Sequence, residues 1–193
     1  CLSELVHLTV LNIGANRLTG TLPYSLGSLL SLHMLYTALN NFHGTLPESM
    51  GLLTNITTLW MWQNQLSGSI PSTIGNLQYL QDVDLHENML TGPLPMFTKN
   101  SRNINTLNLK NNYFNSTLPL SLGSLSGLTY LSLDFNLLTG TIPTELGALS
   151  FLNSLGLADN SLSGTIPYEL GQLTSLQNML LARNHLTGVI PDI

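Results

Sequence analysis

The feature that most constrains this chain is a 24-residue repeat that runs through it without an insertion or deletion. Each unit follows the pattern LxxLxxLxLxxNxLxGxIPxxLGx, and the copy at residues 149–172, LSFLNSLGLADNSLSGTIPYELGQ, matches it at every specified position. A regular repeat of this length predicts a solenoid of eight stacked units. The repeated asparagines are Asn16, Asn40, Asn64, Asn88, Asn112, Asn136, Asn160 and Asn184.

The spacing within each unit predicts its local structure. Alternation in the LxL segment, as at Leu155 and Leu157, predicts a short strand with both leucines pointing into the core. The asparagine three residues later can satisfy backbone groups where the chain turns, so stacked copies would form a ladder. The Gly-x-Ile-Pro segment favours an extended chain, and xxLGxL favours one short helical turn. Because one unit cannot bury its leucines alone, we expect a continuous core and a parallel sheet along one side.

Composition excludes several other classes of protein. The net charge of −5 comes from 10 acidic and 5 basic residues. A nucleic-acid-binding protein would carry an excess of basic residues, so we expect no nucleic-acid partner. No run of about 18 apolar residues is present, so we expect no membrane insertion within this segment. The single cysteine, Cys1, has no second cysteine in the chain with which to form a disulfide. We interpret it as belonging to a region of a longer protein that precedes this segment.

The repeated motif resembles that of the plant-type leucine-rich repeat family, over essentially the whole chain, because LxGxIPxxLG distinguishes this class from the other classes. The resemblance implies a right-handed superhelix with a parallel concave sheet, a second irregular sheet and a short helical or irregular convex side. It also implies an extracellular or cell-surface protein that recognises other molecules. The cysteine-paired caps of the family are absent, so we predict one solenoid domain over residues 1–193, as an uncapped fragment of a longer chain.

Three departures from the repeat are visible. Thr37 replaces a core leucine in the second unit, and Ser116 replaces the usual glycine in the fifth. The fourth unit reads GPLPMFTKNSRNINTL, with Thr98 and Lys99 where Leu-Gly is expected. Because the period survives this segment, we predict a local change of the convex side and no domain boundary.

The fixed register also predicts which side chains point outward. Residues just before, between and just after the two leucines of each strand face the concave surface. Aromatic residues occupy these positions in units two and three, and charged residues occupy them in units four to six, which is the composition of an interface hot spot. Cover by another part of the same assembly is the alternative. The predicted ligand-binding residues are Tyr36, Trp60, Trp62, Asp82, Asp84, His86, Lys110, Tyr130 and Asp134.

An enzymatic interpretation is less favoured. Asp82 and Asp84 lie about 6.6 Å apart by strand rise, near the separation of the carboxylates in inverting glycosidases, and His86 follows on the same strand. However, an open sheet face does not exclude water, and solvated acids are the usual state of such residues. We therefore predict no enzyme activity, no catalytic residue, no metal and no cofactor.

Two sequons, Asn55-Ile56-Thr57 and Asn115-Ser116-Thr117, predict N-glycosylation of Asn55 and Asn115 if the chain passes through the secretory pathway.

The predicted function is an extracellular, non-catalytic recognition module that binds a peptide, glycan or protein on its concave face. One alternative is a structural scaffold or adhesion solenoid in a cell surface, cell wall or large assembly. Another is an inhibitor of a secreted hydrolase, similar to the polygalacturonase-inhibiting members of the family. Ice binding fits a surface rich in Thr and Asn, but the outward positions occupied by Trp, Asp and His do not form a uniform lattice. The sequence leaves the oligomeric state open.

Overall fold

The computed structural model describes residues 4–191. Cys1 and the C-terminal pair Asp192-Ile193 lie outside the described residues. Within the described range, each unit contributes one strand to a concave sheet and a second strand to the neighbouring side. The concave strands are β1 (Val10–Asn12), β3 (Met34–Tyr36), β5 (Thr58–Trp60), β7 (Asp82–Asp84), β9 (Thr106–Asn108), β11 (Tyr130–Ser132), β13 (Ser154–Gly156) and β15 (Asn178–Leu180). The second strands are β2 (Thr19–Gly20), β4 (Asn41–Thr45), β6 (Gln65–Gly68), β8 (Met89–Gly92), β10 (Tyr113–Phe114), β12 (Thr139–Thr141), β14 (Ser161–Gly164) and β16 (His185–Leu186).

The concave sheet confirms the predicted solenoid. Its eight strands are parallel and ordered β1-β3-β5-β7-β9-β11-β13-β15, so successive units lie side by side. The register advances by one repeat at each step, as where Leu59 pairs with Val83 and Trp60 pairs with Asp84. Residues at equivalent positions of the repeat therefore form straight columns across the sheet.

The core and the asparagine ladder explain why the units stack. The two LxL positions of the inner strands are buried in units two to seven, as at Leu155 and Leu157, which are both 0% exposed. Asn112 shows how a ladder asparagine acts: its side-chain amide donates to the carbonyls of Leu85 (3.0 Å) and Leu109 (3.2 Å). Its Oδ1 accepts from the backbone N–H of Leu90 at 2.9 Å. One side chain thus links the backbones of two units.

The second sheet is interrupted in the fifth unit. Of the second strands, β2, β4, β6, β8 and β10 form one five-stranded sheet, and β12, β14 and β16 form a separate three-stranded sheet. An isolated bridge between Thr117 and Thr139 and a backbone hydrogen bond from Leu137 to Phe114 connect the two. The repeat glycines of this side have positive φ, for example +76° at Gly92 and +77° at Gly140. Ser116 stands at the equivalent position, and it is not among the described residues with positive φ. A side chain makes that conformation costly, so the regular path of the chain is lost here.

The convex side consists of five-residue 3-10 turns, as predicted, and the fourth unit is irregular. The regular turns follow the repeat proline: Tyr24–Ser28, Glu48–Leu52, Ser72–Asn76, Leu120–Ser124, Thr144–Ala148 and Tyr168–Gln172. In the fourth unit the turn is Lys99–Asn103, which begins three residues later than position 96, the start expected 24 residues after Ser72. Thr98 caps it, and its hydroxyl accepts from the backbone N–H of Asn100. The inner strands on both sides still pair in register, so the change is confined to the convex side.

Thr37 provides a test of core packing. Its side chain is 1% exposed, and its hydroxyl has no hydrogen-bond partner in the described structure. Thr37→Val replaces that hydroxyl with a methyl group of similar size, so we expect the free energy of unfolding to rise by about 1 kcal/mol. Urea unfolding of both proteins measures the difference. An unchanged or lower stability would show that the hydroxyl has a partner in solution, such as a buried water.

Candidate functional site

Six of the nine predicted binding residues line one groove on the concave face. The groove has a volume of ≈ 400 Å³ and opens to solvent. Thr106, which the sequence analysis did not select, is part of its wall, although it lies in the outward column next to Asp82. The lining residues are Tyr36, Trp60, Trp62, Asp82, Asp84, His86 and Thr106.

The aromatic part of the groove is a contiguous cluster on strands β3, β5 and β7 and the residues that follow them. Tyr36 meets Trp60 edge-on at 5.8 Å between ring centroids and meets Trp62 at 6.5 Å with a 35° tilt. Trp62 stacks on His86 at 5.2 Å with a 10° interplanar angle. Trp60 is 36% exposed, whereas the core residues on either side of it are almost fully buried. The rings therefore hold one another in place while they remain accessible from solvent.

A glycine of the first unit completes this packing. A Cβ atom at Gly14 would lie 2.9 Å from Cζ of Tyr36, which is too close for ordinary contact. The tyrosine ring therefore lies over the backbone of the first unit. The small residue of that unit makes room for the ring.

The polar part of the groove is centred on His86. Its Nδ1 lies 2.5 Å from Oδ1 of Asp84, which fixes the ring orientation against the adjacent carboxylate. The side-chain nitrogen of Asn108 approaches the same Nδ1 at 3.1 Å. The carboxylate of Asp82, by contrast, makes no hydrogen bond and no ion pair within the described residues, although the residue is half-buried. The groove thus contains one carboxylate that is paired with His86 and one that faces solvent alone.

A residue with left-handed backbone conformation stands at every turn that follows a concave strand, and two of these residues lie beside the groove. The position just before each ladder asparagine has positive φ although it is never glycine in this chain. Two of these residues, Gln63 (φ 51°) and Glu87 (φ 53°), are joined by a hydrogen bond from Nε2 to Oε2 of 2.8 Å. The residue types at this position vary widely, so the sequence pattern carries no signal for the conformation. The ladder stabilises it through backbone bonds such as that from Gln63 N–H to the carbonyl of His86, at 3.0 Å.

The other three predicted residues lie outside the groove. Tyr130 is 39% exposed on β11. Lys110 extends away from the groove, with its ammonium 5.3 Å from the ring centroid of Phe135. Asp134 is only 5% exposed, because its carboxylate accepts from the Ser132 hydroxyl at 2.7 Å and from the backbone N–H of Ala158 at 2.9 Å.

The position of Asp134 depends on Gly156 of the next unit. A Cβ atom there would lie 2.0 Å from Oδ2 of Asp134, so the glycine leaves the space that the carboxylate occupies. The oxygens of Asp134 are therefore used to join units six and seven. We leave this residue out of the surface offered to a ligand.

A separate charged area lies at units seven and eight. The guanidinium of Arg183 donates to both carboxylate oxygens of Asp159, with Nη2–Oδ2 at 2.8 Å. This hydrogen bond is the main reason that the pKa of Asp159 is lowered, and it raises the pKa of Arg183. The two groups pair with each other at the surface, which distinguishes Asp159 from the unpaired Asp82.

The two sequons differ in their surroundings. Asn115 is exposed, and its side-chain amide has no partner within the described residues. Asn55 is exposed as well, but its side-chain amide donates to the carbonyl of Leu30 at 2.9 Å. Asn115 is therefore the more available acceptor of the two.

Neither a metal centre nor a membrane span emerges from the part of the chain that the structure describes. In residues 4–191, no group of three or more His, Cys, Asp or Glu side chains could hold a metal ion. None of the helices in this range is long and apolar enough to cross a bilayer.

The family follows from the repeated units. The model for the Leucine Rich Repeat family matches five segments that together cover more than half of the chain: residues 7–29, 55–77, 103–125, 127–149 and 151–173. The chain therefore belongs to the leucine-rich repeat family, and its LxGxIPxxLG units are of the plant type. A sequence search of curated proteins found no match.

Solved structures of receptor ectodomains resemble the fold. The TDR receptor is 32% identical with a TM-score of 0.94, over 98% of this chain and 33% of that protein. The ectodomain of the receptor kinase GASSHO1/SCHENGEN3 from Arabidopsis thaliana, in complex with CASPARIAN STRIP INTEGRITY FACTOR 2, is 34% identical with a TM-score of 0.82, over 99% and 26%. The Arabidopsis receptor kinase HAESA, in complex with an IDA peptide hormone ligand, is 29% identical with a TM-score of 0.78, over 97% and 40%. The chain thus spans less than half the length of each of these ectodomains.

Proposed function

We propose that this chain is the ligand-binding part of an extracellular, non-catalytic recognition protein, and that its ligand is a peptide held on the concave face. The observation that carries the proposal is the cluster of Tyr36, Trp60 and Trp62, three partly exposed aromatic side chains on adjacent units of one open groove. Large rigid aromatic side chains provide much contact area at low entropic cost, and they dominate binding energy in protein interfaces. An open groove on a rigid sheet suits an extended chain that lies across several strands.

Two further observations support the proposal. The GASSHO1/SCHENGEN3 and HAESA ectodomains were solved in complexes with CASPARIAN STRIP INTEGRITY FACTOR 2 and the IDA peptide hormone. The exposed sequon at Asn115 fits an extracellular location, because proteins receive asparagine-linked glycans on the secretory pathway that leads there.

Panning a library of random 12-residue peptides displayed on phage against the immobilised domain tests the proposal. We expect enriched peptides that bind the domain in solution and compete with one another for the groove. A mixture of plant cell-wall oligosaccharides serves as the parallel probe. Enrichment of peptides that bind only the convex side, or binding of oligosaccharides in the absence of any peptide, would overturn the proposal.

A further inference from the structure

The groove has an excess of negative charge that nothing in the described structure neutralises. Asp82 is half-buried, and its carboxylate has neither a hydrogen bond nor an ion pair in residues 4–191. Asp84 uses one oxygen, Oδ1, for His86, and its Oδ2 has no partner in the same range. Two carboxylates on one face of the same short strand repel each other, and a cationic ligand would relieve that repulsion.

The chain has few cations of its own to offer. It contains only five Lys and Arg residues, and Lys110 is the only one in the outward columns of units two to five. Its ammonium is directed over the ring of Phe135, 5.3 Å from the centroid and on the side away from the aromatic groove. The groove residues include no lysine or arginine. A positive group for Asp82 must therefore come from another molecule.

The aromatic wall stands next to these carboxylates. Trp60 pairs in register with Asp84 on the neighbouring strand, and Tyr36 pairs with Trp60 on the other side. The face of an indole or phenol ring attracts a cation, and a nearby carboxylate adds a charge-assisted hydrogen bond. The groove thus joins both kinds of contact within neighbouring strands.

A guanidinium group matches this arrangement better than an ammonium group does. It is planar, so it stacks on an aromatic face, and its N–H groups at the same time donate to a carboxylate that lies in the guanidinium plane. The groove already holds a planar side chain in this way, because His86 stacks on Trp62 at 5.2 Å while its Nδ1 contacts Asp84. An arginine side chain can make the same two contacts, by stacking on the ring of Trp60 or Tyr36 and donating hydrogen bonds to the carboxylate of Asp82.

We propose that the groove selects peptides by an arginine side chain, which stacks on the aromatic cluster and pairs with Asp82 and Asp84. The inference rests on the proposed function, since it names the ligand chemistry of the same groove. It requires the aromatic face and the carboxylates together, whereas peptide binding in general requires only the aromatic face.

The test uses heptapeptide mixtures with a fixed central residue and random flanking positions. Trp60 and Trp62 are the only tryptophans of the chain and both line the groove, so their fluorescence reports its occupation directly. We expect the mixture with central arginine to change the fluorescence at a concentration about tenfold or more below that of the matched citrulline mixture, which keeps the shape and loses the charge. The mixture with central lysine should change the fluorescence at a concentration between those of the arginine and citrulline mixtures.

The variant Asp82→Asn with Asp84→Asn should abolish the preference for arginine over citrulline. The matched control is Glu48→Gln with Glu145→Gln, which removes two exposed acids from the convex side and should leave the tenfold preference unchanged. Thermal melts followed by circular dichroism show that each variant is folded.

The other outcomes separate the two proposals. Equal binding of the arginine and citrulline mixtures would overturn the arginine inference and leave peptide binding standing. A preference for arginine that persists in the Asp82→Asn, Asp84→Asn variant would overturn it as well. A response to cell-wall oligosaccharides, with no response to any peptide mixture, would overturn both.

Discussion

Replacing Trp60 and Trp62 together with alanine is expected to lower the affinity for groove-binding peptides by about 100-fold or more. A 100-fold loss corresponds to about 2.8 kcal/mol, and truncation of each of two aromatic hot-spot side chains costs about 2 kcal/mol or more. The two side chains meet Tyr36 and His86 and form most of the apolar wall of the groove. Fluorescence anisotropy of a labelled peptide from the phage selection measures the affinity of both proteins.

The same variant should remain folded. Leu59 and Met61 fill the core at this strand and are 1% and 0% exposed, so the buried core between the units stays intact when the tryptophans are removed. We expect a cooperative melt close to that of the original protein. The control is Tyr24→Ala with Tyr168→Ala, which removes two rings that are 71% and 69% exposed on the convex side. Peptide affinity that survives the tryptophan double substitution would place the ligand elsewhere.

Asn112→Ala is expected to lower the free energy of unfolding by about 2 kcal/mol, since a buried backbone N–H left without an acceptor costs about 1–3 kcal/mol. The side chain is 5% exposed and donates to the carbonyls of Leu85, Leu109 and Lys110, while it accepts from the N–H of Leu90. The N–H of Leu90 then loses its acceptor, whereas each of the three carbonyls keeps a second donor: the Asn88 amide at Leu85, the Asn136 amide at Leu109 and the Glu87 N–H at Lys110. Urea unfolding measures the loss, with the slope compared between the proteins because repeat arrays can unfold in parts.

Asn16→Ala is the matched control for the ladder. Asn16 is exposed and donates only to the carbonyls of Ile13 and Gly14 in its own unit, where water can replace it. We expect a loss below about 1 kcal/mol for this variant. Equal losses for the two substitutions would show that the ladder stabilises each turn separately and does not join neighbouring units.

Much of the architecture could be predicted from the sequence. The 24-residue repeat fixes the spacing of the units, and the geometry of a strand fixes which side chains alternate between core and surface. Once Leu59 and Met61 are assigned to the core, Trp60 and Trp62 must point outward, since successive side chains of a strand face opposite sides. The same reasoning placed Tyr36, Asp82, Asp84 and His86 in neighbouring columns, and the structure brings these six residues into one groove. Ser116 was likewise marked as irregular, and the second sheet is interrupted there.

The sequence could not predict the direction of each outward side chain or its contacts with residues of the neighbouring unit. Asp134 has the same column position as His86, yet it lies over Gly156 and bonds to Ser132 and the Ala158 backbone. Lys110 likewise turns toward Phe135. These directions depend on the space left by residues 22 to 25 positions away in the chain, and a column assignment does not contain that information.

The sequence by itself determined the solenoid, its register and the outward position of the two tryptophans, because these follow from a backbone period and a two-residue alternation. Only the tertiary structure decided which outward residues form a binding surface. The left-handed turn at Gln63 and Glu87, the place for the Tyr36 ring over Gly14 and the burial of Asp134 all arise from contacts between stacked units. Those contacts leave Asp82 without a partner beside exposed aromatic rings, and that juxtaposition exists only after the units have packed.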